Sequence, residues 1–450
     1  MSSSSNSAET KNFPALVFYA FPGAVMAMPL IPAIVLIPAY YADNIGIGLA
    51  QTGLILLLAR LTDVISDPLV GWLSEWVQRR SAHGRKLQVM VGGLIAGYAL
   101  YNLFTPPQFA SSLYLLIWYS LMLLGWTVIQ VPYLAWVVDL TGGYNNRVRF
   151  NVAREFFGIA GILVLGGYLF TIADLPVSEQ LKSTAIFILI IGLCCLPFLL
   201  LLPSKLKSSV QAQNTVTFAN LAKNHLFLRL IMAWFVNGLS IGVAAACFPL
   251  FVKYGLGLDS SSSTYLLFIY FVSAIAGMPV WLYLCQLIGK HRAWSVAMIM
   301  ACCAFAFVPF LVPQSFVLFA IICVVTGVSL GADLAIPPAI QTDVADWDNF
   351  LNKADRSSFL FSLWSMATKL SLGLGVGLSY LALGNPETGS TGASDVIDMN
   401  VLLLAVIYGP VPIVLKLSAV GIMWGFPLNA KKHRAVRNRL ERRDNKNSSG

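Results

Sequence analysis

The chain has 450 residues, of which 57% are hydrophobic and 11% charged, where soluble proteins carry about a quarter charged residues. The formal net charge is +9, but eight Lys and Arg residues crowd into 431–446, which reads as membrane topology and excludes a nucleic-acid face. The seven cysteines, at 194, 195, 247, 285, 302, 303 and 323, lie inside apolar runs, and His83, His225, His291 and His433 lie in or beside polar connections, so neither a disulfide framework nor a metal or Ser-His-Asp site is supported.

Residues 1–13 are Ser-rich and are expected to be a disordered cytoplasmic N-terminus. They lack the basic region and cleavage site of a signal peptide, so the first apolar run is read as a retained span. Twelve apolar runs are long enough to cross a bilayer: 14–40, 48–77, 87–105, 112–139, 150–173, 183–203, 226–253, 263–287, 294–312, 316–343, 358–383 and 400–427. The expected fold class is an all-α membrane protein with twelve transmembrane helices. The polar connection 204–225 divides six spans (14–203) from six (226–427), and 428–450 forms a basic tail, either lying on the anionic inner leaflet or solvated. If the N-terminus is cytoplasmic, the inside segments hold 22 Lys and Arg, whereas the outside has Lys182, with Lys253 at a span end. Both termini are therefore expected inside.

The first run contains Pro22, Gly23, Pro29, Pro32 and Pro38, which kink and loosen a helix. Its Met26–Met28 region is expected to line a cavity with apolar surface, and Tyr40 and Tyr41 to sit in an interfacial aromatic belt. The second run holds the most informative stretch. Arg60, Asp63, Asp67 and Gly71 recur on one helical face, with the two carboxylates one turn apart. A carboxylate at mid-bilayer costs about 2.5–3.5 kcal/mol on insertion scales, so two on one helix call for a bound cation, a proton, a wet cavity or basic partners. Pro68 lacks an N–H and frees the carbonyl of Val64 beside them. The competing structural reading is neutralisation of the acids by Arg60 and Lys369 for helix packing alone.

Further along, Asp139 with Arg147 and Arg149 is expected to form cytoplasmic gate pairs. Arg154 and Glu155 point about 100° apart on a helix, so both are not expected to face one partner. Arg154 is read as a substrate contact, a partner of Asp63 or Asp67, or a structural pair; Glu155 is expected to face another helix. Asp333 is read as supplying polarity to the substrate cavity. Asp343, Asp346 and Asp348 are expected to pair with Lys353 and Arg356 as a second gate. Lys369 lies mid-span with Trp364, Ser365 and Thr368 beside it and needs an acidic partner, for which an acid of the second run is the natural choice; Trp364, Ser365 and Lys369 are also expected to contact substrate.

The halves echo one another weakly, the plan of transporters built from repeats. GWLSEWVQRR at 71–80, which includes Glu75, Arg79 and Arg80, resembles the loop signature of the major facilitator superfamily, with Gln78 where that pattern has Gly. LARLTDVISDPLVGWL resembles the second helix of the glycoside–pentoside–hexuronide:cation symporters, and VPYLAWVVDLT, Arg154, TDVADWDN and Lys369 extend the likeness along nearly the whole chain. The resemblance implies two pseudo-symmetric six-helix bundles. It implies cation ligands at Asp63, Asp67, Thr127 and Ser66, the last where some relatives have Asn. It places Gln130, Arg154 and Lys369 near substrate; from their own positions Arg60, Glu75, Arg79, Arg80, Asp139, Arg147, Asp343, Asp346 and Arg356 are expected at the gates.

The sugar side departs from that pattern. No acid stands near Met26–Ala27, Gln130 replaces an acid that binds sugar hydroxyls, and Leu134 replaces an aromatic platform. The expected function is symport of a small polar solute, a sugar or glycoside, driven by Na⁺ or H⁺. No cofactor is expected, nor any metal beyond Na⁺ at Asp63 and Asp67. The expected partners are solute, monovalent cation and membrane lipid, in a monomer of a bacterial inner membrane. A lysolipid carrier is the alternative, and a solute sensor the alternative from another class. An enzyme is not expected, because no nucleophile–base pair is present.

Overall fold

The computed structural model describes residues 14–81, 83–140, 144–202, 224–352, 357–384, 401–428, 432–436 and 438–439. Twelve long helices follow one another, with no strand among the described residues. They are α1 (Pro14–Asn44), α2 (Leu49–Arg80), α3 (Gly84–Phe104), α4 (Ser112–Leu140), α5 (Tyr144–Thr171) and α6 (Val177–Leu201) in the first half. The second half has α7 (His225–Gly255), α8 (Ser260–Ile288), α9 (Lys290–Phe310), α10 (Phe316–Asn352), α11 (Ser357–Leu383) and α12 (Val401–Met423). Among the described residues eleven are long and apolar enough to cross a membrane, and α2 contributes the shorter apolar stretch Leu49–Thr62. The protein is a multi-pass membrane protein. The largest departure from the expected spans is α10, which runs on through Asn352 and so carries Asp343, Asp346 and Asp348 on the same helix as Asp333.

The chain divides into two compact units, Met1–Gln211 with Tyr380–Ile397 and Ala212–Ser379 with Asp398–Gly450. In the first unit the prolines of α1 do more than kink it. The helix widens into π turns at Pro32–Leu36 and Tyr40–Asn44, and Pro38 lacks the N–H that an α-helix would direct to Ile34 inside the first of them. Tyr41 is fully buried and donates to the Leu103 carbonyl (2.8 Å), and Met28 is 2% exposed. Neither residue plays its expected part: Tyr41 pins α1 to α3 instead of sitting in a belt, and Met28 belongs to the packed interior. The second unit repeats the device. α7 ends in the π turn Phe251–Gly255, and the amide of Leu256 donates to the Phe251 carbonyl (2.9 Å) as that of Ile45 donates to Tyr40 (3.1 Å).

Small residues let these helices approach. In the second unit Gly327 and Gly331, four residues apart on α10, face the backbones of Tyr270 and Ala274 on α8. Gly238 and Gly242 on α7 face Ser371, Leu372 and Gly375 on α11. Such small-xxx-small seams replace the hydrophobic driving force that lipid cannot supply. In the first unit Gly125 on α4 meets Ala96 on α3, and Gly161 on α5 meets Ala24 on α1.

Candidate cation and solute sites

In the first unit, α2 passes Asp67 against α4. The Thr127 hydroxyl, 1% exposed, donates to Asp67 Oδ1 at 2.9 Å. This joins a carboxylate and a hydroxyl from two helices in a partly buried place, the hard-oxygen chemistry that suits Na⁺ or a proton. The continuous helix puts the backbone of Asp63 one turn before Asp67 on the same face. The side chains of Asp63, Glu75, Arg79, Asp139 and Arg147, and the whole of Arg356, lie outside the described residues. Arg60 and Ser66 are partly buried on α2, and Gln130 is partly buried one turn beyond Thr127 on α4. Arg80 stacks over the Trp76 ring, 3.9 Å from its centroid.

Arg154 is buried to 18% exposure, and its guanidinium pairs with the exposed Glu155. Adjacent positions diverge on the helix, but the long Arg side chain curls back across that angle, so Glu155 does not turn away to another helix. The Arg154 backbone lies against α1, where a Cβ on Gly23 would meet its carbonyl oxygen at 2.8 Å. Beside it, Tyr19 and Tyr133 are fully buried and stack at 4.9 Å, and the Tyr133 hydroxyl donates to the Tyr19 carbonyl.

In the second unit Asp333 is at the centre of a polar cluster that the sequence did not reveal. It is 2% exposed. Trp294 Nε1–H donates to its Oδ1 at 2.6 Å, Asn237 Nδ2–H at 3.1 Å, and Lys416 Nζ lies 3.3 Å from its Oδ2. Lys416 also donates to Asn237 Oδ1 at 2.8 Å. This places Asp333 among protein donors instead of at a cavity wall. Its partners come from α7, α9 and α12. The available signal was Lys416 itself, a lone basic residue in an apolar run.

The turn around Lys369 is held from behind. Trp234 on α7 stacks on Trp364 at 4.8 Å and 11°, and its Nε1–H donates to Thr368 Oγ1 at 2.6 Å. Trp364 is 9% exposed, while Ser365 and Lys369 are partly buried. At the far end of α10, Asp343 pairs with Lys290 at 2.6 Å. His433 approaches Asp346 at 2.9 Å and Asp343 at 3.5 Å, so a residue of the tail clasps α10. Asp348 is 1% exposed and accepts from Asn224 (2.8 Å) and Asn352 (3.0 Å). The expected partner Lys353 lies outside the described residues, as does Arg356.

The family model described as MFS/sugar transport protein matches residues 18–430. The chain belongs to this family. It is 24% identical to the sodium-dependent lysophosphatidylcholine symporter 1-A of Danio rerio, over 79% of this chain and 75% of that protein. It is 22% identical to the glucuronide carrier protein homolog of Escherichia coli, over 88% of this chain and 89% of that protein. Among solved structures, the D-xylose–proton symporter superposes with a TM-score of 0.66 at 13% identity, covering 93% of this chain and 99% of that one. The fold is that of the major facilitator transporters, and the protein is a transporter of that type.

Proposed function

We propose that the protein couples a monovalent cation, Na⁺ or H⁺, to movement of a small polar solute, a sugar or glycoside, across a bacterial inner membrane with both termini cytoplasmic. The observation that carries this is the hydrogen bond from Thr127 to Asp67, which builds an oxygen site across α2 and α4. Asp63, one turn before Asp67, completes the cation ligands, with Ser66 beside them. Gln130 and Arg154 are the proposed solute contacts of the first unit, and the Trp364–Lys369 turn those of the second. Asp343 and Asp346, with Lys290 and His433, act at the cytoplasmic gate of their unit. Coupling requires that the cation bind the outward-open and inward-open states unequally.

A lysolipid is the second reading for the solute. It is supported by the likeness to a protein named as a lysophosphatidylcholine symporter and by the absence of an acid near Met26–Ala27 in α1. Proteoliposomes decide between them. Uptake of p-nitrophenyl glycosides and of lysophosphatidylcholine is measured with an inward Na⁺ or H⁺ gradient and without one. Gradient-driven uptake of one class assigns the solute, and Asp67→Asn should abolish its cation dependence. If that variant keeps wild-type cation dependence, the assignment of the coupling site fails.

A further inference from the structure

The buried cluster at Asp333 and the turn at Lys369 are joined by a run of side chains. Lys416 on α12 and Asn237 on α7 fix the Asp333 carboxylate, at 3.3 Å and 3.1 Å. The carboxylate takes the Trp294 indole N–H at 2.6 Å, which sets the ring of α9 in one orientation. That ring packs on Trp234, with centroids 6.3 Å apart. Trp234 in turn stacks face to face on Trp364 and donates to Thr368, the residue before Lys369. The Thr368 hydroxyl in turn donates to the Trp364 carbonyl at 2.9 Å, so the two contacts grip one turn of α11.

Each link is directional. An indole N–H has one donor direction and no acceptor, so its partner dictates where the ring stands. Three aromatic rings in series are rigid and have few rotamers to lose. A buried ion pair of this kind is weak evidence for added stability, because desolvation offsets attraction. Specificity of geometry is the better account of two charges in an apolar core.

We propose that Asp333 is a positioning residue of the transport cycle: through Trp294 and Trp234 it sets the placement of the Trp364–Lys369 turn of α11. The proposal rests on the reading of that turn as solute-facing, but its test needs no solute.

The probe is a cationic methanethiosulfonate reagent acting on a single cysteine at Ser365, in full-length protein whose seven native cysteines have been replaced. A cysteine at the exposed Ser111 serves as the control. Trp294→Phe keeps a ring and removes the N–H. It should change the Ser365→Cys labelling rate about fivefold, the size of a modest coupling between sites, and leave the Ser111→Cys rate unchanged. Trp234→Phe should do the same. Asp333→Leu with Lys416→Met removes the acceptor without stranding a charge, and should match Trp294→Phe. Asp333→Asn with Lys416→Met retains a carbonyl oxygen for the Trp294 N–H, and should restore the parent rate.

Unchanged Ser365→Cys labelling in the Phe and Leu variants would overturn the proposal. So would equal changes at both cysteines together with a lowered unfolding temperature, because that pattern belongs to a merely structural role. If Trp294→Phe does not fold, the two double variants give the same comparison. Failure of glycoside and lysophosphatidylcholine uptake would bear on the solute reading and leave these rates standing.

Discussion

Thr127 and Asp67 show how far a single hydrogen bond can be pressed. The Thr127 hydroxyl donates to Asp67 Oδ1, which sets its oxygen beside the carboxylate proposed to hold the cation. Thr127→Val keeps the shape and removes both the donor and the ligand oxygen. Hydrogen bonds to charged groups contribute about 1.5–3 kcal/mol, so the cation concentration for half-maximal uptake should rise about tenfold or more. Uptake titrated against Na⁺ and against pH measures it, and an unchanged half-saturation would remove Thr127 from the site. Lys416 gives a contrasting case. Lys416→Met strands the Asp333 carboxylate in the interior of its unit, an error that costs about 3–5 kcal/mol when a buried pair is broken from one side. Thermal unfolding in detergent should show a marked drop for that variant, and most of it should return in Lys416→Met with Asp333→Leu. The two residues differ in how legible they were. Asp67 stands in a dense motif with Asp63 and Pro68, and resemblance supplied Thr127. Asp333, Lys416, Asn237 and Trp294 are single polar or aromatic residues in four separate apolar runs, with no spacing that pairs them. Only tertiary packing brings them together.

At the scale of the element, α8 shows what a cap contributes where a helix leaves the membrane. Asp259 precedes the helix in extended conformation and accepts from the Ser262 amide at 3.2 Å and hydroxyl at 2.6 Å. The Ser262 hydroxyl, then its amide, stabilise the charged carboxylate and hold its pKa below the usual value. A depressed carboxylate contributes stability above its unfolded pKa and loses it as pH falls through the folded value. Asp259 is exposed, so Asp259→Ala should cost about 0.5 kcal/mol at neutral pH, the low end of capping effects. The difference from the parent in unfolding temperature should shrink as the pH is lowered through the carboxylate range; a difference that held constant would argue against the cap. Most helices were legible from apolar run length, because the bilayer fixes how many residues must be apolar. Two features were not. α10 extends past the apolar stretch because TDVADWDN, though acidic, contains neither Pro nor Gly to stop a helix. The π turns of α1 and α7 are shifts of hydrogen-bond register, which composition does not record.

For the whole molecule the decisive property is the alternation of sides. Three helices, α4, α5 and α6, separate the connection 106–111 from the connection 203–224. An odd number of crossings must place those connections on opposite faces. Charge then says which face is which. The connection 106–111 contains no Lys or Arg, whereas 203–224 holds Lys205, Lys207 and Lys223. Basic residues are retained on the cytoplasmic side during insertion, so the charge distribution predicts 106–111 outside and 203–224 inside. The prediction uses protein with its native cysteines replaced, in intact bacterial cells treated with a membrane-impermeant maleimide. Gln108→Cys, at an exposed position, should label without permeabilisation. Ser208→Cys should label only after the membrane is opened. The reverse order of labelling would invert the orientation and leave the crossings intact. Labelling of both from the outside would break the count of three crossings, and with it the six-plus-six arrangement on which two related bundles depend.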